Sequence, residues 1–269
     1  MAEPIRVSID GELLEPGEAT ISVLDDGLLR GDGAFEAIKL YGDHPFRLGE
    51  HIERLGVSAD AIHLSFDPEA LWGEIGALLE DTDLPAESML RIVITRGGRR
   101  IVIAERLPEW PPSVAIALVR LTPSEILAGV KSISYAANMH ATRIAAERGA
   151  GEAVYIDRDE IVLEAPTSSI FWAGEDGVLR TPELETGILD SITRRVLIED
   201  VGAEEGRYEA SELRAAQEAF LASTTREIQP VSSIDGAELP EPAGGAHAIA
   251  AADALRTAVE LERSAASGL

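Results

Sequence analysis

The sequence predicts a mixed α+β fold in two lobes, and three features lead there. Strand-like alternation and β-branched apolar runs recur along the chain. Blocks of helical periodicity separate them. The stretch LTPSEILAG at 121–129 interrupts the strand pattern and reads as a connector. A small N-terminal domain is therefore expected over 1–120, a connector over 121–128 and a larger domain over 129–269.

Taken in order, Ile5, Val7 and Ile9 alternate with polar residues as in a half-buried strand, and Asp10-Gly11 is a hairpin-turn pair. FEAIKLY at 35–41 suits another strand. Ile52, Leu55, Ala59 and Ile62 give helical spacing over 49–64, and Pro68 opens a helix through Leu79. Residues 89–95 and 114–119 are apolar runs with several β-branched side chains, hence strands. Beyond the connector, 135–148 reads as a helix closed by Gly149. Residues 152–171 read strand, turn, strand, and 177–182 a short strand. A helix is expected over 191–201, and Ser211 caps a short one. Strands at 219–223 and 228–234, a Pro/Gly-rich loop at 237–245 and a helix at 248–263 complete the chain, with the last few residues frayed.

The chain has 269 residues, 45% of them hydrophobic, which suffices for a substantial core. No apolar run reaches the roughly 18 residues of a membrane span. MAEPIRVSID lacks the basic start and apolar stretch of a signal peptide, so a cytoplasmic location is expected. The net charge of -25 makes nucleic acid and anionic membrane poor partners. An anionic substrate must then be drawn in by local arginines. The absence of cysteine excludes disulfides, thiolate metal sites and a cysteine nucleophile, and no metal is expected.

Of 23 basic residues only Lys39 and Lys131 are lysine. A lysine retained in such a chain points to amine chemistry that a guanidinium cannot perform. The competing reading is chance survival in an arginine-biased composition. Lys131 lies in AGVKSISYAANM, at the boundary of the two expected lobes, where ligand sites prefer to be. Val130 and Ile133 allow the partial desolvation that makes an amine nucleophilic at neutral pH. Taken alone, it would be a lysine snorkelling from an ordinary strand.

The segments GLLRGDGAFEAIKLY (27–41), HIERL (51–55), GVKSISY (129–135), AVYIDRDEIVLEAPTSSIFW (153–172), GVLRTP (177–182), LDSITR (189–194) and STTREIQPV (223–231) follow one another in a specific order and spacing. Together they resemble the fold-type IV pyridoxal-phosphate enzymes: branched-chain transaminases, D-amino-acid transaminases and aminodeoxychorismate lyases. The resemblance implies a small α/β N-terminal domain and a larger C-terminal domain with a β-barrel-like core. It implies pyridoxal 5'-phosphate as cofactor, with Lys131 as the Schiff-base residue and Glu164 paired with the pyridine nitrogen. Arg54, backbone amides of Ile192 and Thr193, the Thr193 hydroxyl, and Thr224 with Thr225 would hold the phosphate. Leu189 would pack against the ring and Tyr135 would reach the phenolic oxygen. Taken singly, Glu164 would be a solvated carboxylate, Thr193 a first-turn helix residue and Arg54 a cover for a helix face. The joint pattern is what assigns the roles. The chain departs from the family in having Glu164-Ala165-Pro166-Thr167-Ser168-Ser169 where Glu-Gly-x-x-x-Asn is usual, and Ser191 where glycine is commoner.

Substrate choice turns on how carboxylates are held. Arg30 stands where branched-chain enzymes carry tyrosine, and Phe35 where bacterial D-amino-acid enzymes commonly have tyrosine. Arg91 aligns with a carboxylate-binding arginine of the branched-chain group, and Arg96 is the next candidate. Arg99 and Arg100 are either part of this trap or a solvated arginine turn. The histidine-containing loop expected after Arg96-Gly97 in D-amino-acid transaminases is missing, whereas STTREIQPV looks most like those enzymes. The resemblance therefore implies a D-amino-acid transaminase using a small-molecule amino acid and a keto acid, 2-oxoglutarate or pyruvate. Branched-chain L-amino-acid transaminase and then aminodeoxychorismate lyase are the alternatives within the fold. A catalytically silent acidic binding protein is the alternative outside it. A homodimer is implied, with Arg30 reaching into the neighbouring site. Borohydride reduction of the purified protein followed by peptide mapping should place the pyridoxyl group on Lys131. A label on Lys39 would overturn the assignment.

Overall fold

The Asp10-Gly11 pair adopts the left-handed geometry of a tight two-residue turn, with φ of 53° and 89°. In the computed structural model, which describes residues 3–267, this turn joins strands β1 (Pro4–Ile9) and β2 (Glu12–Leu14) and sets Ile9 opposite Glu12. Helix α1 (Asp26–Arg30), strands β3 (Gly33–Tyr41) and β4 (His44–Pro45), helices α2 (Leu48–Ala61) and α3 (Pro68–Asp81), and strands β5 (Glu87–Thr95) and β6 (Arg100–Arg106) follow. The strands form an antiparallel sheet in the order β2-β1-β6-β5-β3-β4. β6 is not expected from the sequence, where only four apolar residues follow the arginine turn. Its pairing with both β1 and β5 makes it a central strand.

β3 shows how the sheet separates its two faces. Ala34, Ile38 and Leu40 pack against Ile52, Leu55 and Ala59 of α2 and Leu71, Ile75 and Leu78 of α3. The period of two puts Glu36 on this same face, a carboxylate in a row of core residues. Phe35, Ala37 and Lys39 belong to the opposite face, as does Arg91, which pairs with Ala37 across the sheet.

The chain divides into two compact units, Met1–Glu109 with Val130–Tyr135, and Trp110–Gly129 with Ala136–Leu269. The sequence places these boundaries after residues 120 and 128 instead. The lysine segment joins the first unit because it pairs with β3. Phe35 N–H donates to Lys131 O at 3.0 Å, Ile133 N–H to Gly33 O at 3.0 Å, and Ala34 bridges Ser132.

The second unit holds β7 (Val114–Arg120), α4 (Ala136–Glu147), β8 (Glu152–Ile156), β9 (Ser169–Ala173), β10 (Leu179–Pro182), α5 (Ile192–Val201), β11 (Glu204–Gly206), α6 (Ala210–Arg214), β12 (Glu218–Ser223), β13 (Glu227–Ile234), β14 (Ala237–Glu238) and α7 (Ala246–Ser267). Its sheet runs β11-β10-β9-β12-β13-β7-β8, with β14 on β13. β7 and β8 are parallel, which needs a crossover, and α4 supplies it. β7 thus belongs to this unit by its ladder to β8 and β13.

Both faces of this sheet's centre are buried. Ile170, Trp172 and Leu221 pack with Val154, Ile116 and Val231 on one side. Phe171 and Phe220, stacked at 5.2 Å, pack with Leu197 of α5 and Ala248 and Ala251 of α7 on the other. Burial on both faces explains why 169–173 is an unbroken apolar run after its serine. One expected cap differs. Glu209, not Ser211, caps α6, because Glu209 and Glu212 make a reciprocal capping box around its first turn. Among the described residues no helix is long and apolar enough to cross a membrane.

Trp172 is 1% exposed and Trp72 45% exposed. Trp172→Ala should lower stability by about 3–5 kcal/mol through the cavity it leaves. Trp72→Ala should stay within about 0.5 kcal/mol. Denaturant midpoints followed by circular dichroism check this, and equal losses would refute the assignment of the core.

Candidate active site

Lys131 is held by its backbone. Besides the bond from Phe35 N–H, its own N–H donates to Ser58 Oγ of α2 at 3.1 Å. This close approach needs a glycine on β3: a Cβ on Gly33 would lie 2.3 Å from Ile94 O and 2.8 Å from Ile133 Cδ1. With the backbone set, Lys131 Nζ lies 4.4 Å from the centre of the Phe35 ring. Tyr135 packs edge-on against the same ring at 5.3 Å. Lys131, Phe35 and Tyr135 are thus brought together, with the amine over an aromatic face that favours a cation.

The α2 residues facing β3 carry the rest of this half. His51, Arg54 and Ser58 are buried along one stripe of the helix. Glu36, 0% exposed, receives His51 and Arg54. Arg54 donates from Nε at 2.8 Å and from Nη2 at 2.7 Å, and His51 Nδ1 lies 2.7 Å from Glu36 Oε2. Burial alone would raise the Glu36 carboxyl, but the Arg54 charge and the bonds from Arg54 and His51 outweigh it and hold the pKa at about 2. Burial lowers the His51 pKa against the pull of Glu36, and the charges of Arg54 and Lys131 add to that lowering. A neutral His51 facing a carboxylate carries its proton on Nδ1. Its buried Nε2 has no hydrogen-bond partner among the described residues.

The remaining arginines of the first unit are engaged with its own acids. Arg91 binds Glu105 through Nε and Nη2, the latter at 2.9 Å. Arg96 binds Asp32 and the carbonyls of Ile62 and His63 at the C-terminal end of α2, so its guanidinium ties that helix end to the β5–β6 hairpin. Arg99 and Arg100 pair with Asp10 and Glu74. Arg30, at the end of α1, pairs with Asp26 but stays 71% exposed.

The second unit positions the other expected residues. Tyr155 N–H donates to Glu164 O at 2.8 Å, and the turn beyond it closes with Ala165 N–H to Ser168 O at 2.8 Å. The Glu164 carboxylate accepts the Leu189 N–H at 3.1 Å, so these two residues meet. Two residues on, Ser191 caps α5 by accepting from Arg194 N–H at 3.4 Å. Ile192 and Thr193 form its first turn, both buried. First-turn amides have no acceptor within a helix, and the helix dipole favours an anion there. Thr224 and Thr225 lie in the tight turn between β12 and β13, half-buried.

This donor set matches what pyridoxal phosphate requires: a primary amine, an oriented carboxylate, and a capped helix N-terminus with a hydroxyl. Sequence reasoning missed Glu36, His51 and Ser58. The signal for Glu36 was present, since a charge in a row of alternating core residues must be paired.

Comparison with known proteins gives an independent line. A family model described as amino-transferase class IV matches residues 33–234. A putative branched-chain-amino-acid aminotransferase from Methanocaldococcus jannaschii is 31% identical over 86% of this chain and 88% of its own length. An aminodeoxychorismate lyase from Bacillus subtilis is 30% identical over 85% of this chain and 86% of its own. A D-alanine aminotransferase from Listeria innocua is 29% identical over 88% and 90%. Among solved structures, a fold IV-transaminase from Curtobacterium pusillum is similar with a TM-score of 0.79 at 29% identity, covering 89% of this chain and 90% of that one.

The buried triad makes a prediction about acid. Glu36→Gln leaves Arg54 without its counter-charge and should cost about 3–5 kcal/mol at neutral pH. The Glu36 carboxyl is held below its unfolded value of 4.5, so it contributes fully above that pH and loses its contribution as pH falls toward about 2. The stability gap between wild type and Glu36→Gln should therefore be narrower at about pH 3 than at pH 7 in urea unfolding. An unchanged gap would refute the ionised triad.

Proposed function

The chain belongs to the class IV amino-transferase family, and on that premise we propose that it moves the amino group of a D-amino acid to 2-oxoglutarate or pyruvate, with Lys131 as the Schiff-base residue. Members of the family depend on pyridoxal 5'-phosphate. When bound, the cofactor supplies an electron sink for the substrate α-carbon. The chain's own groups do the rest. Glu164 holds a proton on the pyridine nitrogen, and Leu189, whose N–H orients that carboxylate, packs against the ring. Arg54, Thr193, the amides of α5, and Thr224 with Thr225 bind the phosphate. Lys131 would carry the proton from the substrate α-carbon to the cofactor's C4′ atom, and in the opposite direction in the second half-reaction. The single observation that carries this reading is the Lys131 amine, fixed by backbone bonds and set 4.4 Å over Phe35.

The D-amino-acid assignment is supported by the segment STTREIQPV and by the D-alanine aminotransferases among the relatives. The branched-chain reading is supported by the archaeal relative and by Arg91. Arg91 and Arg96 already hold Glu105 and Asp32, so a substrate carboxylate would compete with those acids. Arg30 is the more available cation. It follows an exposed apolar stretch, with Val23 and Leu24 71% and 78% exposed and Leu28 and Leu29 each 59%. Such a patch marks an interaction surface. We assign it to a second copy of the chain, whose site Arg30 enters. We assign the reaction to the cytoplasm.

Two measurements test these proposals. With 2-oxoglutarate as acceptor, D-alanine should be a better donor than L-leucine, and the reverse order would establish the branched-chain reading. Arg30→Ala and Lys131→Ala chains, each inactive or weak alone, should regain activity when refolded together, because a mixed dimer contains one complete site. No recovery, or an active monomer in light scattering, would refute the shared site.

A further inference from the structure

The turn that carries Thr224 and Thr225 is braced by a network, buried except at Trp110, that no step of the proposed reaction uses. Arg226, the next residue, is 9% exposed and points away into the second unit. Its Nη2 forms an ion pair with Glu152, itself 2% exposed, and Nη1 donates to Gln229 Oε1 at 2.7 Å. Its guanidinium lies 4.0 Å from the centre of the Trp110 ring. Trp110 in turn donates its Nε1–H to Thr225 O at 3.0 Å. Gln229 Nε2 donates to Pro111 O at 2.8 Å, and the second Glu152 oxygen accepts from Thr142 Oγ1 at 3.1 Å and Ala153 N–H at 3.0 Å. Arg226 N–H closes the turn on Ser223 Oγ at 3.3 Å.

Two features separate this network from ordinary core packing. It places a charge pair where an apolar pair would be no less stable, since buried ion pairs seldom add net stability. It also grips the turn at adjacent residues, Thr225 through its carbonyl and Arg226 through its side chain. A guanidinium supplies what that geometry needs, a planar face for Trp110 and a fork of donors at its edge. Burial lowers the Arg226 pKa, and the Glu152 charge opposes that lowering.

We propose that Arg226, with Glu152 and Trp110, is a positioning unit that holds the Thr224–Thr225 turn in its phosphate-binding conformation. The proposal rests on the reading that this turn binds the cofactor phosphate. Arg226 does not touch the cofactor; its charge is answered by Glu152. It acts by removing alternative conformations of the turn before binding, so that ordering does not weaken affinity.

The test measures dissociation of pyridoxal phosphate and of unphosphorylated pyridoxal, by the visible absorbance of the bound form, in three variants. Thr224→Val removes the hydroxyl and tests the underlying reading. Trp110→Phe keeps the ring under Arg226 but deletes the bond to Thr225. Glu152→Met with Arg226→Met removes the charge pair without leaving a lone buried charge, which guards against unfolding. Trp110→Phe and the double variant should each weaken pyridoxal phosphate binding about ten-fold, the effect of one lost hydrogen bond, and leave pyridoxal unchanged. Amide exchange at 224–227 should speed up in both, with or without cofactor. If Thr224→Val binds pyridoxal phosphate like wild type, the phosphate reading fails and takes the proposal with it. If Thr224→Val is weakened but the other two match wild type, the positioning role alone is refuted. Equal weakening for pyridoxal would reduce the network to a structural one and overturn the proposal.

Discussion

A carboxylate sealed at the junction of a sheet and a helix must find its cations within reach, and Glu36 imposes that demand on the first unit. Its burial would be costly if Arg54 and His51 did not meet it. Meeting it fixes the rotation of α2, because His51 and Arg54 must face β3. Ser58 on the same stripe then falls where it can accept the Lys131 N–H. The placement of the amine is therefore tied to the pairing of a buried charge three residues up the same strand from the glycine that lets the lysine segment approach.

β3 separates structure from chemistry by its two-residue period. One face holds Ala34, Glu36, Ile38 and Leu40 against the helices. The other presents Phe35 to Lys131 and Tyr135. A slip of one residue would exchange these faces and destroy both the core and the site. The ladder with β5 runs from Gly33 to Tyr41 without a break, which secures the register.

The second unit solves a different problem, that of holding the α5 N-terminus and the β12–β13 turn still. Its sheet is buried on both sides, so its strand ends are rigid platforms. The cap of α5 and the β12–β13 turn both issue from that platform, and Leu197, Phe220 and Ala222 pack them into one cluster. Rigid strands with functional residues at their ends are a common way to present a site.

Much of this was legible in the sequence because it is local. The hairpin at Asp10-Gly11, the spacing of Ile52, Leu55 and Ala59, the start of the helix near Ser191 and the isolation of Lys131 all depend on neighbours a few residues apart. The motifs that place the chain in its family are also contiguous strings. What only the tertiary structure decided are pairings between distant segments. Lys131 joins β3 although nearly a hundred residues separate them, Arg91 and Arg96 are taken up by Glu105 and Asp32, and Arg226 reaches back to Glu152. No local pattern marks such partners. A buried charge announces only that it needs one, and the choice is made by the strand order and helix rotation that bring two parts of the chain together.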